Sequence, residues 1–166
     1  MKLKNEICSP VDYLPLQNPM ITSGYGWRML AGQKNFHDGI DFANPLHNCK
    51  DRLKPIGTEI YAVAAGNICY DYDKYDDRFR MDIAGHKQDS AGNMVIIKTA
   101  INGIMYYVRY LHLIENFVKE NEFVSAGQLI GRYADVGFSY GAHLHLDIYS
   151  ADWGQKLDPT PILFDI

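Results

Sequence analysis

The sequence predicts a mainly β domain of antiparallel strands with few short helices. Three observations carry that expectation. Residues 93–100 and 104–113 both read as strands, and Asn102-Gly103 between them is a dipeptide suited to the tight turn of a hairpin. Leu144, Leu146 and Ile148 alternate with polar residues, the two-residue period of a strand with one buried face. Twelve tyrosines and seven phenylalanines favour pleated structure and an aromatic-lined groove.

At 166 residues the chain is long enough for one domain with a substantial core, and its hydrophobic share of 47% is ordinary for a globular protein. A net charge of −4 argues against a broad nucleic-acid surface, which needs a basic balance. Cys8, Cys49 and Cys69 have no Cys-x-x-Cys spacing, which excludes a zinc ribbon and argues against a disulfide framework. No run approaches the roughly 18 apolar residues of a membrane-spanning helix. Residues 1–9 carry Lys2, Lys4 and Glu6 with no apolar run behind them, so no signal peptide is expected. Delivery by a phage or related particle, or loss of a leader, would account for that.

Taken in order, residues 1–19 contain Pro10, Pro15 and Pro19 and are expected to form an irregular arm over a domain spanning 20–166. Residues 20–27 predict a short strand broken by Gly24 and Gly26, locked in place by a salt bridge from Arg28. Residues 30–35 predict a polar loop, and residues 44–55 a second loop with an exposed His47. Residues 57–66 predict a strand, with 67–70 starting its hairpin partner. Residues 71–92 are charged and aromatic without a core stripe, and read as an insertion beside the groove with a solvated His86. Their acidic cluster lacks the Asp-x-Asp-x-Asp-Gly pattern of a calcium loop. After the 93–113 hairpin, 114–122 predicts one helical turn, 123–133 strand–turn–strand, and 134–141 a loop feeding the last strand. A tail starts at Asp158-Pro159. There is no internal repeat and no low-complexity tract.

The chemistry concentrates in histidines. On a strand, His143 and His145 share one face, with Cα atoms roughly 6.5–7 Å apart. Two imidazoles so placed suggest a metal site, one ring ligating and the other just outside, as against a pair of surface histidines on an edge strand. His37 and Asp41 add a nitrogen and a carboxylate, both accepted by zinc. Four residues of flat strand span about 13 Å, so a bend permitted by Gly39 is needed to bring those two together. His37, Asp41 and one of the 143/145 pair make a two-histidine, one-carboxylate set that leaves a tetrahedral position for water. Tyr110-Leu111-His112-Leu113 contributes a further imidazole, with both leucines facing away from it.

Together, His37-x-Gly-x-Asp41, Tyr-x-His112-Leu and His143-Leu-His145 resemble the M23 family of zinc metalloendopeptidases, the lysostaphin- or LytM-like peptidoglycan hydrolases. Ile21-Thr22-Ser23-Gly24-Tyr25-Gly26-Trp27-Arg28 is similar to the family's entry segment, and Val124-Ser125-Ala126-Gly127-Gln128-Leu129-Ile130-Gly131 to its turn before the last motif. The resemblance runs in order over most of residues 20–160. It implies a LytM/lysostaphin-like domain of antiparallel sheets forming a substrate groove. It implies one Zn2+ ion ligated by His37, Asp41 and His145, with His112 and His143 as the unligated catalytic pair. The substrate would be a peptide of bacterial peptidoglycan, cut in crosslinks or stems at the cell wall. Asp147, on the His143/His145 face, is a candidate to orient an imidazole, although the family more often has glutamate there. Val136, Tyr140 and Ala142 depart from the threonine, threonine and proline common in the family and bear on the shape of the groove wall. The segment before His37 does not align well enough to place the tyrosine that assists the oxyanion in some members.

Two other readings use the same residues. A non-catalytic zinc- or peptidoglycan-binding module would normally have lost ligands or the unligated histidines, and all five positions are filled here. An iron(II) oxygenase would also use two histidines and a carboxylate, but such sites commonly space them His-x-Asp.

Overall fold

A computed structural model describes residues 1–11, 20–50, 55–73, 91–136 and 141–166. The regular structure of the described chain is almost entirely strand: β1 (Lys2–Leu3), β2 (Met20–Ser23), β3 (Gly26–Leu30), β4 (Gln33–His37), β5 (Ile40–Ala43), β6 (Glu59–Tyr61) and β7 (Gly66–Tyr72) in the first half. The second half holds β8 (Asn93–Ile101), β9 (Ile104–Asn116), β10 (Phe123–Val124), β11 (Leu129–Tyr133), β12 (Leu144–Ser150), β13 (Lys156–Leu157), the short helix α1 (Thr160–Leu163) and β14 (Phe164–Asp165).

The main sheet runs β10-β7-β8-β9-β12-β5-β2, all neighbours antiparallel, with β11 joining β6 to β9 and β13 on the edge of β12. β8 and β9 form the expected hairpin, with Asn102 at φ 50° and Gly103 at φ 76° supplying its turn. One face packs the core, where Leu144, Leu146 and Ile148 of β12 meet Phe42, Val108 and Tyr110 with no exposed surface. The Tyr110 hydroxyl accepts from Val63 N–H at 2.9 Å, so this large ring is buried without an orphaned polar group. β1 and β14 form a separate two-stranded ribbon that brings Leu3 and Phe164 to the core. Ile7 and Val11 are buried as well and belong to the same core. All three cysteines are free thiols.

Several local expectations are corrected. Residues 30–35 are a hairpin rather than a loop: β3 and β4 pair throughout, turning at Ala31 (φ 50°) and Gly32 (φ 78°). Residues 67–70 do not pair with the preceding strand. β6 instead pairs with β11, and β7 pairs with β8 and β10. Residues 114–116 extend β9, and no helix forms over 114–122. The tail beyond Asp158 is ordered as α1 and β14. His47 is half-buried rather than exposed. The Tyr133 hydroxyl accepts from Asn44 N–H at 2.9 Å and reaches His47 Nδ1 at 2.7 Å, and burial pushes the pKa of His47 down. The proposed insertion, apart from residues 71–73 and 91–92, lies outside the described residues, as do His86 and Tyr140.

Candidate metal centre and active site

Four strands deliver the site. β4 ends on His37 and β5 begins one residue after Gly39, so the chain turns sharply between the first two candidate ligands. β12 lies between β5 and β9, with His145 directly opposite Asp41 on one side and Leu111 on the other. The chain bends at Gly39 as anticipated from sequence, and the bend needs no positive φ. What requires glycine is space: a Cβ there would sit 2.6 Å from His145 Nε2 and 2.6 Å from the Leu146 carbonyl oxygen.

His37 Nε2 lies 3.1 Å from Asp41 Oδ1 and 3.1 Å from His145 Nδ1, and His145 Nδ1 lies 2.9 Å from Asp41 Oδ1. All three residues are buried. Each ring, when neutral, has a place for its hydrogen away from the cluster. His37 Nδ1 is 2.7 Å from the Gly24 carbonyl, which can only accept, so that nitrogen carries the hydrogen and Nε2 presents a lone pair. His145 Nε2 faces carboxylate oxygens of Asp38 and Asp147, each at 3.6 Å, so its Nδ1 is the lone-pair nitrogen. With both rings neutral, two imidazole lone pairs and a carboxylate oxygen converge, an arrangement that a cation satisfies. Without a cation, a proton between His145 Nδ1 and Asp41 takes that place, and the pKa of His145 is raised to about 9. Ligand atoms on a tetrahedral zinc with bonds of about 2.0–2.1 Å stand roughly 3.3 Å apart, close to the spacings seen.

Asp38, His145 and Asp147 form a second cluster with ligand-like spacing. It is already neutralised. Arg109 donates to both oxygens of Asp147, at 2.6 and 2.5 Å, and Lys156 Nζ pairs with Asp147 at 3.0 Å and with Asp38. Burial alone would raise the pKa of Asp147, but its hydrogen bonds to Arg109 and His145 hold it below the usual carboxylate range. Asp147 is fully buried and anionic behind His145, where sequence reading placed it. Arg109, Lys156 and Asp38 were not singled out from sequence. The Arg109–Asp147 pair depends on the β9–β12 register, which composition does not reveal.

Arg28 does form the expected salt bridge, and its partner is a candidate ligand. Its Nη1 reaches Asp41 Oδ2 at 3.3 Å and Ser23 Oγ at 2.5 Å, while Nε donates to Asn35 Oδ1 at 3.1 Å. Burial would raise the pKa of Asp41, but its contacts with His145 and His37, and the nearby His143, keep the group well below the normal range.

His112 and His143 stand beside this cluster, their ring centroids 4.8 Å apart. His143 Nδ1 is 2.8 Å from the Gly141 carbonyl and its Nε2 is 3.5 Å from Asp41 Oδ1. His112 occupies a left-handed conformation, φ 66°, where β9 exchanges one partner for another. Along that edge Leu111 pairs with β12 and Leu113 with β11, and on the opposite edge the β8 register slips between Asn93 and Val95. Its backbone N–H donates to Ala91 at 2.7 Å and its carbonyl accepts from Ala134 at 3.1 Å, which fixes this bulge. A β-bulge re-aims a side chain, and both His112 neighbours, Leu111 and Leu113, are buried. Burial, reinforced by His143 and His145, pushes the pKa of His112 down to about 3. It is therefore a neutral imidazole at physiological pH.

The five residues border one cleft of about 890 Å³, walled by the β3–β4 hairpin on one side and Ala142 on the other. Val136 lies beneath the bulge in a small apolar cluster with Ala134 and does not line the cleft, so of the family departures among the described residues only Ala142 shapes the wall.

Known proteins share this architecture. The model of peptidase family M23 matches residues 35–159. The peptidoglycan DD-endopeptidase ShyA of Vibrio cholerae is 33% identical over 102 residues, 61% of this chain and 20% of ShyA. The catalytic domain of the antimicrobial peptidase lysostaphin from Staphylococcus simulans superposes with a TM-score of 0.59 at 26% identity, covering 86% of this chain and 90% of that domain. A zinc-containing peptidase from Vibrio cholerae has a TM-score of 0.62 at 24% identity, covering 94% of this chain and 39% of that one, a likeness of fold. The chain spans about a fifth to a quarter of the curated relatives it matches. With the family's pattern running through three quarters of its length and ordered on the same fold, this chain belongs to peptidase family M23.

Proposed function

We propose that this protein is a zinc-dependent endopeptidase that hydrolyses peptide bonds in the crosslinks or stem peptides of bacterial peptidoglycan. It would act at the cell wall through a catalytic unit spanning 20–166, with residues 1–19 as an arm. The observation that carries this reading is the convergence of three potential ligand atoms, two nitrogens and one oxygen, within 3.1 Å of one another at the edge of an open cleft. His37 Nε2, Asp41 Oδ1 and His145 Nδ1 would hold a single zinc ion. When bound, zinc lowers the pKa of water towards 7 and polarises a carbonyl as a Lewis acid.

The chain's own groups divide the remaining work. Gly141 takes the Nδ1 hydrogen of His143, so Nε2 faces the ligand cluster as a basic nitrogen that can accept a proton from the attacking water and return it to the leaving amine. His112 stays neutral and is therefore suited to donate a hydrogen bond to the developing oxyanion rather than to carry a proton. Asp147, clamped by Arg109 and Lys156, holds the proton on His145 Nε2 and so keeps Nδ1 available. Arg28 secures the outer oxygen of Asp41.

Release of new amino groups from purified sacculi, abolished by a chelator, restored by zinc and abolished again in His143→Ala, tests the reading. A protein that binds zinc and sacculi but releases no amino groups would be the non-catalytic module instead.

A further inference from the structure

The sheet face that carries His145 continues past Asp147. Residues opposite one another across β9 and β12 share that face, in the order His145 with Leu111, Asp147 with Arg109, and Tyr149 with Tyr107. Lys156 of β13 stands opposite Tyr149 on the other side. At the end of this row Trp153 lies against Tyr107, with ring centroids 4.2 Å apart and planes 22° from parallel, and 5.0 Å from the Tyr149 ring. Arg109 and Lys156, which both line the cleft, sit over Tyr149 at 4.9 and 5.5 Å, and Lys98 over Tyr107 at 5.7 Å. The aromatic row is thus continuous with the cleft.

Trp153 is held there against its backbone preference. It sits at φ 60°, a left-handed conformation that is strained for a bulky L-residue and that glycine or asparagine adopts more readily. The loop is tied down around it. Trp153 N–H donates to the Ser150 carbonyl, Ser150 N–H to Gln155, and Asp152 accepts from both Ser150 Oγ and Gly154 N–H. One indole face is covered by Tyr107, yet the residue remains 40% exposed. Strain retained at an exposed aromatic residue points to a ligand.

We infer that Trp153, Tyr149 and Tyr107 form a saccharide platform at the end of the cleft, on which a sugar ring of the glycan strand rests while its attached stem peptide lies over the metal ligands. The inference rests on the peptidoglycan reading above. Distance selects the occupant. Tyr149 is four strand residues beyond His145, about 13–14 Å, which is the reach of about four extended peptide residues. A stem peptide of comparable length separates a crosslink from its sugar. The exposed indole of Trp153, with the Lys98 ammonium beside it over Tyr107, matches a sugar's apolar face and its hydroxyls. The covalent tether lets a weak stack count, because the ring is delivered at high effective concentration.

The test measures binding, so that it stands apart from catalysis. In zinc-loaded protein carrying Trp27→Phe, Trp153 is the sole indole. A disaccharide-bearing stem peptide should shift its emission and, by calorimetry, bind roughly two- to tenfold tighter than the same peptide without sugar. In Trp153→Gly, where glycine suits the backbone, that affinity ratio should fall to about one while the sugar-free peptide binds as it does to the parent, which shows that the variant is folded and makes its ratio decisive. An emission unmoved by the sugar-bearing ligand, or a ratio preserved in Trp153→Gly, overturns the platform. A ratio lost as expected in a protein that never cleaves either peptide supports the platform and counts against the hydrolytic reading alone.

Discussion

Substituting Gly39 by alanine tests how the site is built. The added Cβ would lie 2.6 Å from both His145 Nε2 and the Leu146 carbonyl oxygen, and 2.7 Å from His145 Cε1, about 1 Å inside an ordinary contact. The Leu146 carbonyl cannot easily yield, because β12 is paired with β5 on one side and β9 on the other. The His145 ring must therefore shift. A shift of even half the overlap exceeds the roughly ±0.2 Å latitude of a zinc–nitrogen bond. The expected result is a 10–100-fold weakening of zinc affinity, the range seen when a ligand's support is removed. A stability loss of about 1–3 kcal/mol from overpacking should accompany it. Gly24→Ala is the control, since a Cβ there meets nothing within 4 Å and the backbone needs no positive φ. Zinc competition against a chromophoric chelator, with denaturant melts of the metal-free proteins, reads both quantities. If Gly39→Ala binds zinc as tightly as Gly24→Ala, the close approach of β5 to His145 does not shape the site.

Three further predictions follow from the same geometry. His112→Ala and His143→Ala should each lower turnover by about 10²–10⁴-fold while retaining zinc, measured as amino-group release per bound metal; loss of metal in either would make it a ligand. Asp147→Ala should weaken zinc retention or activity about 10–100-fold by freeing His145 to rotate and change tautomer, and unchanged affinity and turnover would reject that role. The third concerns pH. Burial depresses the pKa of His145, but Asp147 and Asp41 outweigh it and raise the group from 6.5 to about 9 in the metal-free protein. A raised folded pKa means that His145 contributes its full stabilisation below pH 6.5 and loses it as pH rises through about 9. Zinc affinity should climb over the same window, since binding needs Nδ1 unprotonated. Melting with and without chelator from pH 6 to 9.5 should show opposite trends, and parallel ones would refute the assignment.

The chemistry was legible in sequence where a residue's type decided its role. His37, Asp41 and one of His143 and His145 were readable as a candidate ligand set because few other side chains bind zinc, and the family resemblance selected His145; Asn102-Gly103 announced its hairpin because its turn is local. What depended on distant pairing was not legible. Ala31 at φ 50° hides the β3–β4 turn, since alanine gives no turn signal. The union of β6 with β11 joins segments some 70 residues apart and leaves no pattern in either. His112 was found by its chemistry, but the bulge that aims it required the registers of β8, β11 and β12 on β9. The ion pairs of Arg109 and Lys156 behind His145 were invisible for the same reason; the bend at Gly39 was legible, but the lack of space beside His145 that also demands glycine was not.

The most direct measurement is zinc K-edge absorption on protein loaded and counted by metal analysis. The predicted result is one ion per chain with two imidazole nitrogens and a carboxylate oxygen in its inner sphere, unchanged in His112→Ala and His143→Ala and altered in His37→Ala. A third imidazole, a second ion, or a spectrum indifferent to His37 would contradict the account.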